Sequence, residues 1–94
     1  MTVAAVDRCL SLIEALAGEP EPVELGVLAE RIGMPKSATH RMLTTLVERG
    51  YVAQDPATQG YGLTLHLSIL AFRNLDARGL PDAGQVVLDR LARR

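Results

Sequence analysis

Five polar side chains recur at helical spacing in the middle of this 94-residue sequence, namely Lys36, Ser37, His40, Arg41 and Thr44. Residues three or four apart lie on the same side of an α-helix, so the five share one face. That stretch holds two cations, two hydroxyls and an imidazole, and no acidic group. Arginine can bond guanine O6 and N7 together, hydroxyls can bond bases or phosphates, and lysine neutralises phosphate. The face is therefore typical of a helix that contacts double-stranded DNA, whereas a merely solvated face usually mixes both signs of charge.

The charge distribution favours the same region. The chain has ten Lys and Arg against eleven Asp and Glu, a net charge of −1, so bulk charge does not attract nucleic acid. Counted by segment, the net charge is −4 for residues 1–34, +2 for residues 35–50 and +1 for residues 51–94. The positive charge is thus densest around the polar face. Arg49, and less directly Arg31, are further candidates for phosphate contact.

Apolar periodicity predicts the elements that would position this face. Residues 4–17 predict an amphipathic helix, which Gly18 and the prolines after it end. A brief alternation at 23–25 fits a very short strand, and a second helix is predicted over residues 25–32. The third helix, over residues 35–49, carries the five polar residues on its outer side. Its predicted inward positions are Thr39, Met42, Leu43, Leu46 and Val47.

The junction between the second and third helices has the features of a helix-turn-helix. Ala29 is small enough to let two helices cross closely, and Gly33, four residues later, accepts the left-handed conformation that ends a helix. Residues 51–54 and 61–64 then alternate as two strands around a turn. A helix-turn-helix followed by a hairpin predicts a winged helix-turn-helix, a mainly α fold with a small β-hairpin.

A further helix is predicted over residues 65–78, with apolar residues over a wide arc. One face would cover the helix's own domain, and the other, with Leu67, Leu70 and Phe72, would contact a second copy of the chain. A last helix is predicted over residues 81–93. Its apolar stripe has no evident partner, which favours a fragment of a longer protein.

These residues resemble a known family, the N-terminal domain of the isocitrate lyase regulator (IclR) transcription factors. The resemblance covers about residues 5–78. Its most specific part is Pro-Lys-Ser at 35–37 followed by His-Arg at 40–41. Other matching stretches are Val6-Asp7-Arg8, Leu28 to Met34, Gly50-Tyr51-Val52 and Asp55-Pro56.

The resemblance implies a winged helix-turn-helix DNA-binding domain over residues 1–64, a linker helix over 65–79, and the start of a truncated effector-binding domain over 80–94. It further implies a homodimer on a palindromic DNA operator. A small-molecule effector would act only through a larger C-terminal domain, which is absent from these 94 residues. Such a regulator would work in the cytoplasm, without a cofactor.

The wing departs from the family's usual pattern. Ala53, Gln54 and Gly60 stand where the hairpin often carries arginine or lysine. Ala38 likewise removes one hydroxyl from the DNA side of the third helix. We therefore expect weaker contacts between wing and phosphate than in typical members.

The remaining residues argue against an enzyme and against a membrane protein. The single cysteine, Cys9, excludes an internal disulfide framework, and it fits a buried apolar position. We find no phosphate loop, metal-ligand cluster, paired acids or nucleophile with a supporting base, and no apolar run long enough for a membrane span. The rival interpretation is a winged helix used only for protein–protein contact, which the absence of lysine and arginine from the wing and the net charge favour.

Overall fold

The computed structural model of the chain describes residues 1–78, with side chains through Leu75; the predicted helix over 81–93 lies outside the described residues. The chain forms two compact units, Met1–Thr64 and a second unit that begins at Leu65.

The first unit has three helices and a hairpin, and the predicted fold class is confirmed. The helices are α1 (Ala4–Ala17), α2 (Leu25–Ile32) and α3 (Lys36–Glu48), followed by strands β1 (Val52–Gln54) and β2 (Tyr61–Leu63). The strands pair antiparallel, with Val52 opposite Leu63 and Gln54 opposite Tyr61. We call β1, β2 and the turn between them the wing.

The core of this unit is aliphatic, because the chain has only three aromatic residues. Leu12, Leu28 and Leu43 are fully buried, one from each helix. Thr39 is also fully buried, and its hydroxyl donates to the carbonyl oxygen of Pro35 at 2.9 Å, which satisfies the polar group inside the core. The same core cluster also contains Leu16, Val23, Leu46, Val52 and Tyr61.

Val47 is the inward position that the sequence predicted wrongly. Its side chain is 38% exposed. At 100° per residue, Val47 lies only about 20° around the helix from His40, which is on the outer side. The prediction relied on the apolar residue type, whereas the angular position of Val47 around the helix places it at the margin of the core.

Two glycines end α2 and α3 in the same way. Gly33 and Gly50 have φ angles of 68° and 85°, in the left-handed region that favours glycine. In both cases the next residue donates back into the helix, Met34 to the carbonyl of Ala29 and Tyr51 to that of Leu46. These are Schellman ends, which turn the chain sharply and satisfy the last carbonyls.

The wing is fixed to the loop before α2 at one point. Val23 and Tyr61 exchange two backbone hydrogen bonds, of 2.9 and 2.8 Å. The short strand predicted at 23–25 is thus reduced to a bridge at Val23, because α2 already begins at Leu25. The neighbouring Gly60 lies so close to Pro22 that a Cβ at residue 60 would be 2.8 Å from the proline Cβ. Glycine at 60 therefore allows the wing to pack against this loop.

The second unit contains α4 (His66–Arg78), close to the predicted linker helix. Its apolar residues are not uniformly covered, since Leu75 is buried and Phe72 is 67% exposed. Leu67 and Leu70 are half-buried. Among residues 1–78, no helix is both long and apolar enough to cross a membrane.

Candidate nucleic-acid interface

The outer face of α3 presents all five side chains that the sequence singled out. We call Lys36, Ser37, His40, Arg41 and Thr44 the recognition face, and each of them is exposed. The acid that follows, Glu48, lies one turn beyond Thr44 at the end of α3. The recognition face is thus free of acids and occupies about the N-terminal two thirds of the helix, the part that contacts base edges in helix-turn-helix proteins.

The hydroxyl of Thr44 is already engaged within the helix. Its Oγ1 donates to the carbonyl oxygen of His40 at 2.9 Å, and Thr45 bonds Arg41 in the same manner at 3.2 Å. A hydroxyl has one proton and two lone pairs, so Thr44 retains its capacity to accept and its methyl group. Thr44 therefore suits a thymine methyl or a base amino group better than an acceptor such as guanine O6.

Lys36 does not extend straight out from α3 but crosses the start of α2. Its Cε and Nζ atoms lie 3.3 and 3.6 Å from where a Cβ of Gly26 would stand. The side chain of Glu24 makes no capping hydrogen bond to α2, and the first N–H groups of a helix have no partner within it. The ammonium of Lys36 and the positive end of α2 therefore lie near each other, and the exposed acid Glu24 stands at the N-cap of the same helix.

His40 lies in a cleft of about 360 Å³ between α2, α3 and the wing. Sequence reasoning missed that wing amides would meet the recognition face there. The only sign of this meeting in the sequence was the polar character of the turn between the two predicted strands. The lining residues are Glu24, Leu25, Gly26, His40, Gln54, Thr58, Gln59 and Tyr61.

The wing satisfies its own polar groups. Gln54 Nε2 donates to the backbone oxygen of Gln59 at 3.0 Å and to its Oε1 at 3.2 Å, while Gln59 Nε2 donates to the oxygen of Pro56 at 3.2 Å. Asp55 Oδ1 accepts from the backbone N–H of Ala57 at 2.9 Å, so Asp55 closes the turn. Gln59 adopts a φ of 65°, which is unfavourable for a residue with a side chain. The wing is thus a closed polar loop without a cation.

The two arginines outside the recognition face, Arg49 and Arg31, differ in how available their charges are to a ligand. Arg49 is exposed at the C-terminal end of α3, about 20 Å along the helix axis from Lys36. It lies beyond the recognition face, where it could reach only a separate phosphate. Arg31 forms an ion pair with Glu19, so its charge is partly compensated before any ligand arrives. The sequence did not reveal that pair because its partners belong to different elements.

An apolar groove lies between α1 and α3. Its volume is about 310 Å³, and Val6 and Leu10 on its rim are about half exposed. Cys9 lies in this groove with apolar neighbours, but it is half-buried and not buried as the sequence predicted. Within residues 1–78, no three His, Cys, Asp or Glu side chains are grouped so that they could hold a metal ion.

Comparison with known proteins assigns this arrangement to a family. The model of the IclR helix-turn-helix domain matches residues 5–56. The chain belongs to the IclR family. Of the curated relatives, the HTH-type transcriptional regulator KdgR of Escherichia coli is 33% identical over 92 residues, covering 98% of this chain and 35% of that protein. The acetate operon repressor of Salmonella typhimurium is 35% identical over 78 residues, covering 83% of this chain and 28% of that protein.

A solved structure agrees with the family assignment. The IclR transcriptional regulator from Alicyclobacillus acidocaldarius has a TM-score of 0.73 and 28% identity, over 82% of this chain and 31% of that one. The chain spans about a third of the length of the relatives it matches. These relatives are transcription regulators and not enzymes. The chain therefore carries a helix-turn-helix domain of the IclR family.

Proposed function

We propose that this chain binds a specific operator in double-stranded DNA, with the recognition face of α3 in the major groove, and so regulates transcription of an adjacent gene. The supporting observation is the acid-free recognition face on a helix of the IclR type. Since bacterial chromosomal DNA lies in the cytoplasm, the proposed function places the protein there.

Each side chain of the interface has a chemical role in this proposal. Arg41 bonds guanine O6 and N7 from the middle of the recognition face. Ser37 and His40 contact neighbouring base edges or phosphates, and Thr44 contacts a thymine methyl or a base amino group. Lys36 and Arg49 neutralise phosphates at opposite ends of α3, which fixes the orientation of the helix in the groove.

The regulator acts as a homodimer in this proposal. Leu67, Leu70 and Phe72 on α4 pack against a second copy, together with the apolar groove beside Val6 and Leu10. Both surfaces expose apolar area that favours association. A twofold dimer places two recognition helices about 34–36 Å apart on one side of the duplex, so the operator is palindromic.

A small-molecule effector, in this proposal, acts through a C-terminal domain outside these 94 residues. The two clefts described above are open to solvent, whereas metabolite sites enclose most of their ligand. Operator binding by this chain alone is then insensitive to metabolites.

A mobility-shift titration tests the DNA-binding proposal. The probe is labelled DNA from upstream of the chain's own gene, and an unrelated duplex of equal length is the competitor. We expect retention of the upstream probe at protein concentrations that leave the unrelated duplex free. Equal or absent retention of the two would contradict sequence-specific binding and favour the protein–protein interpretation.

Sedimentation tests the dimer separately. Phe72→Glu introduces a charge at an exposed apolar position, and Asn74→Glu introduces the same charge at an exposed polar position nearby. We expect a weak wild-type dimer that Phe72→Glu dissociates and Asn74→Glu leaves intact. A wild type that stays monomeric at concentrations on the order of millimolar would refute the dimer.

A further inference from the structure

Gly26 is a glycine that its own backbone does not require. It is the second residue of α2, where alanine is the better helix former. Unlike Gly33 and Gly50, it does not have a positive φ. Unlike Gly60, it does not face backbone or a proline ring. Some other contact must explain the absence of a side chain.

The residue that lies beside Gly26 is Lys36. Outside α2 itself, only the lysine's Cε at 3.3 Å and Nζ at 3.6 Å lie within 4 Å of the position of a Cβ at residue 26. A methyl group there would be closer to Cε than ordinary van der Waals contact. The flexible end of Lys36 would move aside, while both helices could keep their places.

We propose that Gly26 is a positioning residue for Lys36, whose ammonium it allows to lie across the first turn of α2, where a DNA phosphate is received. The inference rests on the proposed function. A lysine loses much rotamer freedom when it is immobilised on binding. The space left by Gly26 lets the lysine occupy this position beforehand, so less freedom remains to be lost when the phosphate arrives.

The substitution Gly26→Ala tests the proposal with a readout that a purely structural role would not change. The probe is a random-sequence duplex of about three helical turns, because phosphate contacts do not depend on sequence. We expect a thermal unfolding temperature equal to or above that of the wild type, since alanine favours the helix. DNA affinity at low salt should fall about three- to tenfold, and the log–log salt slope should become shallower by about 0.9, one phosphate.

Gly18→Ala is the matched control. Gly18 ends α1 with an ordinary φ of −85°, and a Cβ there meets nothing within 4 Å. We expect unchanged affinity and salt slope. A Gly26→Ala variant that behaves like this control would overturn the proposal.

A double-mutant cycle with Lys36→Ala shows whether Gly26 acts through the lysine. In the Lys36→Ala background, Gly26→Ala should cause no further loss of affinity. An equal loss in both backgrounds would mean that Gly26 serves another contact, and the proposal would fail.

Nuclear Overhauser contacts in the DNA-free protein separate this proposal from the proposed function. We expect a cross-peak between the Lys36 Hε protons and the Gly26 Hα protons. If the duplex is bound but the cross-peak is missing, only the role of Gly26 is overturned. If the cross-peak is present but no duplex is bound, the proposed function fails and the phosphate role of Lys36 fails with it.

Discussion

The recognition face of α3 and the wing border the same cleft but differ in how they use their polar groups. Arg41 and Lys36 bring cations to exposed positions on α3. The amides of Gln54 and Gln59 bond each other and the turn, and residues 51–64 contain no lysine or arginine. The recognition face thus exposes charged groups to a ligand, whereas the wing uses its hydrogen bonds to maintain its own shape.

The two regions therefore have different expected roles, α3 in the affinity for DNA and the wing in the geometry of the cleft. Charged groups contribute salt-dependent attraction to DNA, whereas a closed loop of neutral amides contributes little of it. The wing is held in position by the Val23–Tyr61 bridge and by the fit of Gly60 against Pro22. In this molecule the wing is expected to shape the cleft, and α3 to supply most of the binding energy.

The largest expected effect is a loss of stability, caused by a substitution that displaces the wing. Gly60→Val places a branched side chain where even a Cβ would be 2.8 Å from Pro22, and such overpacking typically costs about 1–3 kcal/mol of unfolding free energy. Urea denaturation measures the loss. Gly62→Val, two residues along at a site with nothing within 4 Å, is the control and should be far milder. Equal losses would show that the wing is not fixed by this contact.

The next effect compares the two regions directly. Arg41→Ala should cost about 1–3 kcal/mol of operator-binding free energy if the arginine bonds a guanine. Gln54→Ala should cost less, because its amide already bonds the wing. Arg8→Ala removes an exposed arginine from α1 and serves as the control. Titration of an operator probe gives all three values, and a larger loss for Gln54→Ala would reverse the comparison.

Salt dependence sharpens the comparison further. Lys36, Arg41 and Arg49 are available to the duplex, while Arg31 is paired with Glu19. Because Arg41 bonds a guanine in the proposed function, we expect roughly two phosphates neutralised per protomer, each contributing about −0.9 to the log–log slope. Gln54→Ala should leave the slope unchanged. A much steeper wild-type slope would reveal a basic surface beyond these three residues.

The smallest effect concerns strain within the wing. Gln59→Gly relieves a φ of 65° but loses two exposed side-chain hydrogen bonds and makes the unfolded chain more flexible. We expect thermal unfolding to show a net stabilisation of about 0.5 kcal/mol. A destabilisation larger than about 1 kcal/mol would mean that the amide bonds outweigh the strain.

The sequence predicted those features that depend on local periodicity. The helices, the hairpin and the inward direction of Thr39 follow from the 100° spacing of a helix and the alternation of a strand. Val47 was assigned inward by its apolar type, although its bearing places it near His40.

Local periodicity does not predict contacts between different elements. The path of Lys36 depends on Gly26 in another helix, and the charge of Arg31 depends on Glu19. The amide bonds of the wing depend on the exact form of its turn. None of these contacts leaves a periodic signal in the sequence.

Thr64 acts as a mechanical anchor at the end of the first unit. Its backbone N–H donates to the carbonyl of Tyr51 at 3.0 Å, and its hydroxyl donates to the carbonyl of Gly50 at 2.6 Å. Gly50 and Tyr51 follow α3 after Arg49, whereas the tip of the wing is farther along the hairpin. Tension applied to the chain beyond Thr64 is therefore transmitted first to the end of α3, and only after those bonds part does it unzip the strands.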